Sequence, residues 1–369
     1  MHYPDIAQDF QGVDENNLPQ RGTRARWSAS NNGKTWAIVL AGGSGTRLRP
    51  LTVNRAGIPV PKQYCSLRSG PSLLREALQR AFTVVPRRRT SVVVAEPHAQ
   101  WWNPLARELP VVSIAVQPED RGTATGILLA LLRILERDPN ARVVVLPSDH
   151  HVVDEGVLTR SLANAIGALL YRRADIVLLG ATPDSLDTDL GYIAPAGPPT
   201  NGLLSVAEFV EKPVRTHAAK LIAAGALWNT FMLVANGRDL LELMRAREPS
   251  LVADLHCALE RGATPTLREI YCRLPMLDFS RDVVQRSPSA FSAIRMPPCG
   301  WTDLGTVDRV RKSLRNKAKT FGNAISLTDA EPASISLARA LWAERLPAHA
   351  SCDLTDELGV GAVEMMPAG

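Results

Sequence analysis

Trp36-Ala37-Ile38-Val39-Leu40-Ala41-Gly42-Gly43-Ser44-Gly45-Thr46-Arg47 is the stretch on which the fold turns. Trp36–Leu40 is a short apolar run without alternation, ended by glycines. That pattern reads as a buried strand entering a tight turn. Glycines let a backbone come close to a ligand and turn its N–H groups toward it, which suits phosphate oxygens. Arg47 adds a rigid bidentate donor. The bland alternative is a plain strand-to-helix turn, but three glycines with an arginine at the exit of a first strand favour the ligand. Two familiar phosphate loops are excluded. No Gly-Lys-Ser/Thr follows, so this is not a P-loop. The third glycine of a dinucleotide fingerprint would fall at Leu48, which argues against an NAD-dependent oxidoreductase.

Working outward, similar apolar runs recur at Ser91–Ala95, Val111–Val116, Arg142–Leu146 and Asp175–Gly180. Stretches with three- and four-residue apolar spacing lie between them: Ser72–Val84, His98–Leu109, Thr123–Arg137 and Val157–Arg173. This alternation predicts an α/β fold with a mainly parallel central sheet and helices on both faces. Beyond Gly180, strands are expected at Leu190–Ala194, Leu203–Val210, Trp228–Ala235 and Ala290–Met296. Helices are expected at Val214–Ala224, Gly237–Arg247, Leu251–Arg261, near Leu267–Arg273 and at Ser334–Glu344. Residues 1–34 are polar and aperiodic and read as a mobile arm, 35–310 as one catalytic domain, and 311–369 as a short, partly helical tail.

The chain has 369 residues, 45% of them apolar and 21% charged, as in ordinary globular proteins. Its formal charge of +5 is spread out, and no basic-aromatic module suggests nucleic acid. Five scattered cysteines without a C-x-x-C pair point to free thiols and a cytoplasmic setting. No apolar stretch is long enough to span a bilayer, so no membrane partner is expected. A homo-oligomer is compatible with the sequence.

Downstream of the glycine loop, Val60-Pro61-Lys62-Gln63-Tyr64 places a lysine on a stiff, extended piece of chain. Alone, Lys62 reads as a surface charge; beside Arg47 it reads as a second phosphate-directed cation. The glycine loop with its Arg-Leu-x-Pro-Leu tail and this Pro-Lys-Gln-Tyr segment resembles the sugar-1-phosphate nucleotidyltransferases, and within them the mannose-1-phosphate guanylyltransferases. Further matches follow in the family's order. Gln117-Pro118-Glu119-Asp120-Arg121-Gly122-Thr123-Ala124 resembles the base-recognition loop, and Leu146-Pro147-Ser148-Asp149-His150 a strand end with a metal-binding aspartate. Leu190-Gly191-Tyr192-Ile193, Phe209-Val210-Glu211-Lys212-Pro213 and Trp228-Asn229-Thr230 resemble sugar-binding segments. Gly300-Trp301-Thr302-Asp303-Leu304-Gly305-Thr306 resembles the second metal-binding segment.

The resemblance implies a Rossmann-like nucleotidyltransferase (GT-A-like) fold. It implies transfer of a nucleotidyl group from a nucleoside triphosphate, best GTP, to a hexose 1-phosphate, best mannose 1-phosphate. The nucleotide would lie against Ala41, Gly42, Gly43, Ser44, Gly45, Thr46, Gln117, Gly122 and Thr123. Arg47 would hold the outer phosphates and Lys62 would offset charge near the α-phosphate. Asp149 and Asp303 would hold Mg²⁺, which prefers oxygen ligands; His150 and His151 would be structural. Asp149 stands where a parallel strand leaves the sheet, the place where ligands of open α/β sheets collect; its bland alternative is a helix N-cap. Gly191, Glu211, Lys212 and Asn229 would bind the sugar phosphate, against a bland reading of Glu211 and Lys212 as a surface ion pair. Gly122-Thr123 would offer free helix N–H groups to base or ribose. Three departures stand out: Phe231 where a glycine is expected, Gly122 for an asparagine common in guanylyltransferases, and a slightly long Pro50–Pro61 segment. The rival classes are another nucleotide-sugar pyrophosphorylase and a non-catalytic nucleotide-sugar sensor; retained acids and cations argue against the sensor. Arg87-Arg88-Arg89 reads as a solvated face, and Trp101-Trp102 as packing.

Overall fold

The run Val143-Val144-Val145-Leu146 is wholly excluded from solvent and lies in the strand Arg142–Pro147 of a nine-stranded sheet. Such a run, apolar on both faces, needs cover on both sides, and the fold supplies it. The computed structural model describes residues 34–54, 56–68, 70–107, 109, 113–260, 264–315 and 335–343. The expected arm 1–34 lies outside them except for Lys34, as does most of the expected tail. Residues from Lys34 onward group as one compact unit.

The strands are β1 (Thr35–Ala41), β2 (Thr90–Ala95), β3 (Ile114–Gln117), β4 (Arg142–Pro147), β5 (Ile176–Ala181), β6 (Tyr192–Pro195), β7 (Leu204–Val210), β8 (Leu227–Asn236) and β9 (Ser292–Met296). The helices are α1 (Leu73–Val84), α2 (Ala99–Trp102), α3 (Gly122–Arg137), α4 (Glu155–Leu170), α5 (Arg215–Ala223), α6 (Gly237–Arg247), α7 (Pro249–Glu260), α8 (Thr264–Arg273), α9 (Val307–Arg315) and α10 (Leu337–Ala343). The sheet order is β3-β2-β1-β4-β8-β5-β9-β7-β6. The first four strands pair in parallel. The second half is mixed: β8 enters antiparallel between β4 and β5, β5 pairs parallel with β9, and β6 and β7 form an antiparallel pair at the far edge. Periodicity alone does not encode that reversal, because a fully buried strand looks the same in either direction.

One core layer packs α1, α4, α9 and α10 on one face of the sheet. The other packs α3, α6, α7 and α8 on the opposite face. A small third cluster, with Tyr192 and Trp228, sits under α5. The expected helix His98–Leu109 is split into α2 and a 3₁₀ turn Asn103–Arg107, because Pro104 lacks the N–H that would continue it. Trp102 donates its indole N–H to the Ala95 carbonyl at 2.9 Å, so that half-buried ring packs as expected. α9 runs through position 310, and Ser66 exchanges backbone hydrogen bonds with Ile335 and Leu337, which ties α10 to the domain. The helix α4 is capped by Asp154, whose carboxylate accepts from Val157 N at 3.1 Å. Asp149 is therefore not its N-cap. Among the described residues no helix is long and apolar enough to cross a membrane.

Arg80 of α1 is 1% exposed and pairs with Glu155 of α4 through contacts at 3.2, 3.0 and 2.6 Å. Burying a guanidinium this deeply is tolerable only with such a partner. Glu155→Ala should destabilise the domain by about 3–5 kcal/mol in urea unfolding, whereas the double change Arg80→Met with Glu155→Leu should cost much less.

Candidate active site

The glycine turn leaves β1 at its carboxyl end beside the end of β4, and Ser148 N donates to the Leu40 carbonyl at 3.1 Å. Two parallel strands thus deliver the glycine loop and Asp149 to the same end of the sheet, beyond their carboxyl termini. Gly45 adopts φ +58, and a Cβ there would stand 3.0 Å from Lys62 Cβ and N. Both facts call for glycine. The loop is pinned from behind by Gln63, 3% exposed, whose amide donates to the Ala41 and Gly43 carbonyls at 2.8 Å each. Gln63 was visible in the Pro-Lys-Gln-Tyr segment, but nothing in the sequence assigned it to the loop.

A cleft of about 350 Å³ opens at this end of the sheet. Its walls include Gly42, Gly43, Gly45, Arg47, Gln117, Gly122, Thr123, Asp149, Gly191, Glu211, Lys212, Asn229 and Asp303. Ala41, Ser44, Thr46 and Lys62 are not in its wall. Ala41 and Lys62 lie behind the loop, both buried. Lys62 therefore differs from the free cation expected. Its ammonium touches Asp149 Oδ2 at 2.9 Å and the Asp303 and Leu304 carbonyls at 2.6 and 3.4 Å. A buried ammonium must find oxygen, and these three supply it.

Burial alone would raise the Asp149 pKa, but the Lys62 ammonium holds it below the usual carboxylate range. Its other oxygen is 3.7 Å from His150 Nε2, outside hydrogen-bond range, and 36% of the side chain remains open. Asp303 is likewise held low against its burial, by neighbouring His150 first and then by Arg309 and Lys62. Both its oxygens face Arg309 Nη1, at 2.6 and 2.7 Å. His150 is buried and neutral: desolvation depresses its pKa to about 4, outweighing the two carboxylates. Trp301 Nε1 donates to His150 Nδ1 at 3.3 Å, which leaves that nitrogen an acceptor. His151 pairs with Glu76 at 3.3 Å, away from the cleft wall.

Gln117, 3% exposed, accepts from the Tyr271 hydroxyl at 3.4 Å. The expected free N–H at the start of α3 is a correction. Gly122 N donates to Asp120 Oδ1 at 3.0 Å, because an aspartate two residues earlier closes an Asx turn. Thr123 Oγ1 accepts from Phe279 N at 2.8 Å. Gly122 has φ +86, and a Cβ would lie 2.1 Å from the Leu277 carbonyl oxygen. An asparagine cannot stand here in this conformation, which accounts for that departure.

Glu211, also in the cleft lining, is mostly buried, and burial followed by nearby Asp278 raises its pKa. Lys212 Nζ lies 3.3 Å from Glu211 Oε1 and is half exposed. Asn229 N donates to the Gly191 carbonyl at 2.7 Å; its side chain accepts from Phe231 N and donates to Ser280 Oγ. Phe231 has φ +60, and the β5–β8 register shifts there. The glycine expected at 231 matches that left-handed backbone; this chain puts a phenylalanine in it, edge-on to Phe279 at 6.3 Å. Asp120, Asp189, Asp278 and Ser280 also line the cleft. Asp120 lies in the quoted base-recognition motif, but the sequence did not signal Asp278 and Ser280, since 274–290 shows no periodicity; that stretch contains a π-helical turn, Phe279–Val284, of a kind frequent at functional sites. Arg87 and Arg88 are exposed, as expected.

The sequence pattern of the nucleotidyl transferase family matches residues 36–319, well over half of the chain. The chain belongs to that family. Within it, alginate biosynthesis protein AlgA of Pseudomonas syringae is 29% identical over 283 residues, 73% of this chain and 56% of that protein. Xanthan biosynthesis protein XanB of Xanthomonas campestris is 30% identical over 279 residues, 73% and 57% of the two chains. Mannose-1-phosphate guanylyltransferase RfbM of Salmonella typhimurium is 26% identical over 283 residues, 73% and 56%. The chain thus spans about half the length of the curated relatives it matches. A solved Thermus thermophilus structure, described as a mannose-1-phosphate geranyltransferase, superposes with TM-score 0.66 at 29% identity, covering 77% of this chain and 80% of that one. A mannose-6-phosphate isomerase structure from Helicobacter pylori, at 20% identity and TM-score 0.54, shares the fold. These neighbours and the α/β architecture agree with the nucleotidyltransferase fold expected from the sequence.

Folded His150 binds its proton more weakly than it does in the unfolded chain. Between its depressed pKa of about 4 and the ordinary 6.5, the unfolded state therefore holds the extra proton. This contribution to stability is complete above that window and is lost as pH falls through it. Urea unfolding from pH 7 to pH 4 should show a steeper loss for the native chain than for His150→Gln.

Proposed function

We propose that the protein is a sugar-1-phosphate nucleotidyltransferase that makes GDP-mannose and pyrophosphate from GTP and mannose 1-phosphate. The observation that carries this reading is the single cleft in which segments from Gly42 to Asp303 meet. A phosphate-suited loop with Arg47, the pair Glu211 and Lys212, and Asp149 all line it. The names of RfbM and of the Thermus thermophilus neighbour support the choice of sugar and, for RfbM, of base.

The mechanism follows from the placement of charge. The phosphate oxygen of the sugar phosphate attacks the α-phosphorus in line, and pyrophosphate leaves from the opposite side; no covalent enzyme intermediate is required. Catalysis is positioning and charge neutralisation. Backbone N–H groups of the glycine loop and the Arg47 guanidinium hold the outer phosphates. Lys212 takes the phosphate of the sugar phosphate, and Glu211 accepts sugar hydroxyls. Lys62 acts from behind Asp149, offsetting its charge. The ionised, partly open Asp149 suits an oxygen-preferring Mg²⁺. Held there, Mg²⁺ would neutralise negative charge on the phosphates. Free thiols at Cys65, Cys257, Cys272 and Cys299 fit a reducing cytoplasm.

Pyrophosphate release should be measured for each nucleoside triphosphate with each common hexose 1-phosphate and Mg²⁺. GTP with mannose 1-phosphate is expected to be fastest; no release with any pair refutes the reading. Asp149→Ala should lower the rate about a hundredfold or more. Lys212→Ala should raise KM for the sugar phosphate about ten- to a hundredfold with little change in KM for the triphosphate, because a charged hydrogen bond is lost.

A further inference from the structure

Arg309 of α9 is the centre of a charge cluster that the reaction scheme leaves unused. Its Nη1 stands 2.6 and 2.7 Å from the two oxygens of Asp303, nearly equidistant. That is the position in which a bidentate cation meets a carboxylate. Asp303 Oδ1 accepts a further hydrogen bond from Gly305 N at 3.0 Å. The same guanidinium donates Nε to Asp187 Oδ2 at 3.0 Å and lies 3.9 Å from Asp189. One helical turn on, Lys312 reaches Asp184 at 2.6 Å. α9 therefore fastens the loop from Asp184 to Asp189 by two cations. That loop runs directly into Leu190 and Gly191, and Asp189, Leu190 and Gly191 all line the cleft.

The two expected metal ligands are thus not equivalent. Asp149 has an oxygen beyond hydrogen-bond range of its neighbour and is 36% open; the Asp303 side chain is 12% open and its oxygens are engaged. Among the described residues no three His, Cys, Asp or Glu side chains converge on a metal position. We propose that Arg309 is the cation of Asp303, that Asp149 is the protein's metal ligand, and that Arg309 is a positioning residue spanning from Asp303 to the sugar-side loop. Asp303 fits a divalent ion poorly because a guanidinium already sits where the ion would. The Asp303–Arg309–Asp187 chain then sets the separation between the Asp303 segment and the loop carrying Gly191.

This inference deepens the reading above, and its tests need no turnover. Mn²⁺ is titrated by electron paramagnetic resonance into the full chain, with and without GTP. Asp149→Asn should weaken Mn²⁺ binding about tenfold or more, Asp303→Asn should leave it unchanged, and Arg309→Met should strengthen it by freeing Asp303. Weakening by Asp303→Asn to the extent seen for Asp149→Asn, or weakening by Arg309→Met, overturns the metal assignment; so does an absence of Mn²⁺ binding by the native chain. Mannose 1-phosphate binding, read by tryptophan fluorescence, should weaken about tenfold in Arg309→Met and be partly restored in Arg309→Lys. Unchanged binding overturns the positioning role. If Arg309→Met does not fold, Asp303→Asn decides the metal assignment and Asp187→Asn the positioning role. A native chain that binds Mn²⁺ as expected yet releases no pyrophosphate with any substrate pair would refute the proposed activity and leave the assignment of Arg309 standing.

Discussion

A buried ammonium holds the site together. Lys62 is 5% exposed, and its Nζ contacts Asp149 Oδ2 and the carbonyls of Asp303 and Leu304. These partners come from the end of β4 and from the loop before α9, and the lysine comes from the segment behind the glycine loop. A lysine buried without partners would cost far more than one left in water, so the three segments are held to one arrangement. The glycine loop is drawn into the same arrangement, because Lys62 packs under Gly45 and its neighbour Gln63 bonds the loop carbonyls.

Backbone strain marks the same region. Among the described residues, five non-glycine positions have positive φ: Arg172, Asn201, Lys212, Phe231 and Leu304. The last three lie in or beside the cleft: Lys212 and Phe231 line it, and Leu304 follows Asp303. Left-handed backbone costs an ordinary residue about 1–2 kcal/mol and survives where the surroundings enforce it. Here the enforcing contacts are visible: Asn229 Oδ1 accepts from Phe231 N, and Thr302 Oγ1 accepts from Leu304 N. Phe231 and Leu304 are each aimed by a short polar side chain two positions earlier.

What could be read from the sequence follows from the range of each interaction. Buried strands such as Arg142–Pro147 announce themselves, since their own residues carry the pattern. The glycine loop, Asp149 and the segments carrying Gly191, Glu211 and Asn229 could be picked out as cleft-lining candidates because each is a local segment with its own chemistry. Lys62 was legible as a cation but its burial was not, because its partner carbonyl at Asp303 is 241 positions away. Arg309 was silent for a like reason: Asp187 is 122 positions distant, and an arginine on an amphipathic helix reads as solvated. Gly122 looked like a helix opening with free N–H groups until Asp120 and the Leu277 carbonyl closed around it. The direction of β8 was hidden because antiparallel insertion is decided by neighbours rather than by the strand.

The placement of charge also changes what the net excess of cations means. Six acids line the cleft (Asp120, Asp149, Asp189, Glu211, Asp278 and Asp303) against two cations, Arg47 and Lys212. A triphosphate alone would meet a wall of its own sign. Two of the acids are offset from behind, Asp149 by Lys62 and Asp303 by Arg309, and Glu211 is offset beside it by Lys212. On the proposed reading, Asp189, Glu211 and Asp278 would serve a hydroxyl-rich ring as acceptors. Arg47 remains the cation of the glycine-loop wall, and Lys62 stays buried behind Asp149 with its charge already spent on that carboxylate. A nucleotide carrying its own divalent cation therefore suits this wall better than a bare one does, because the protein's remaining charges are committed to holding the walls in place.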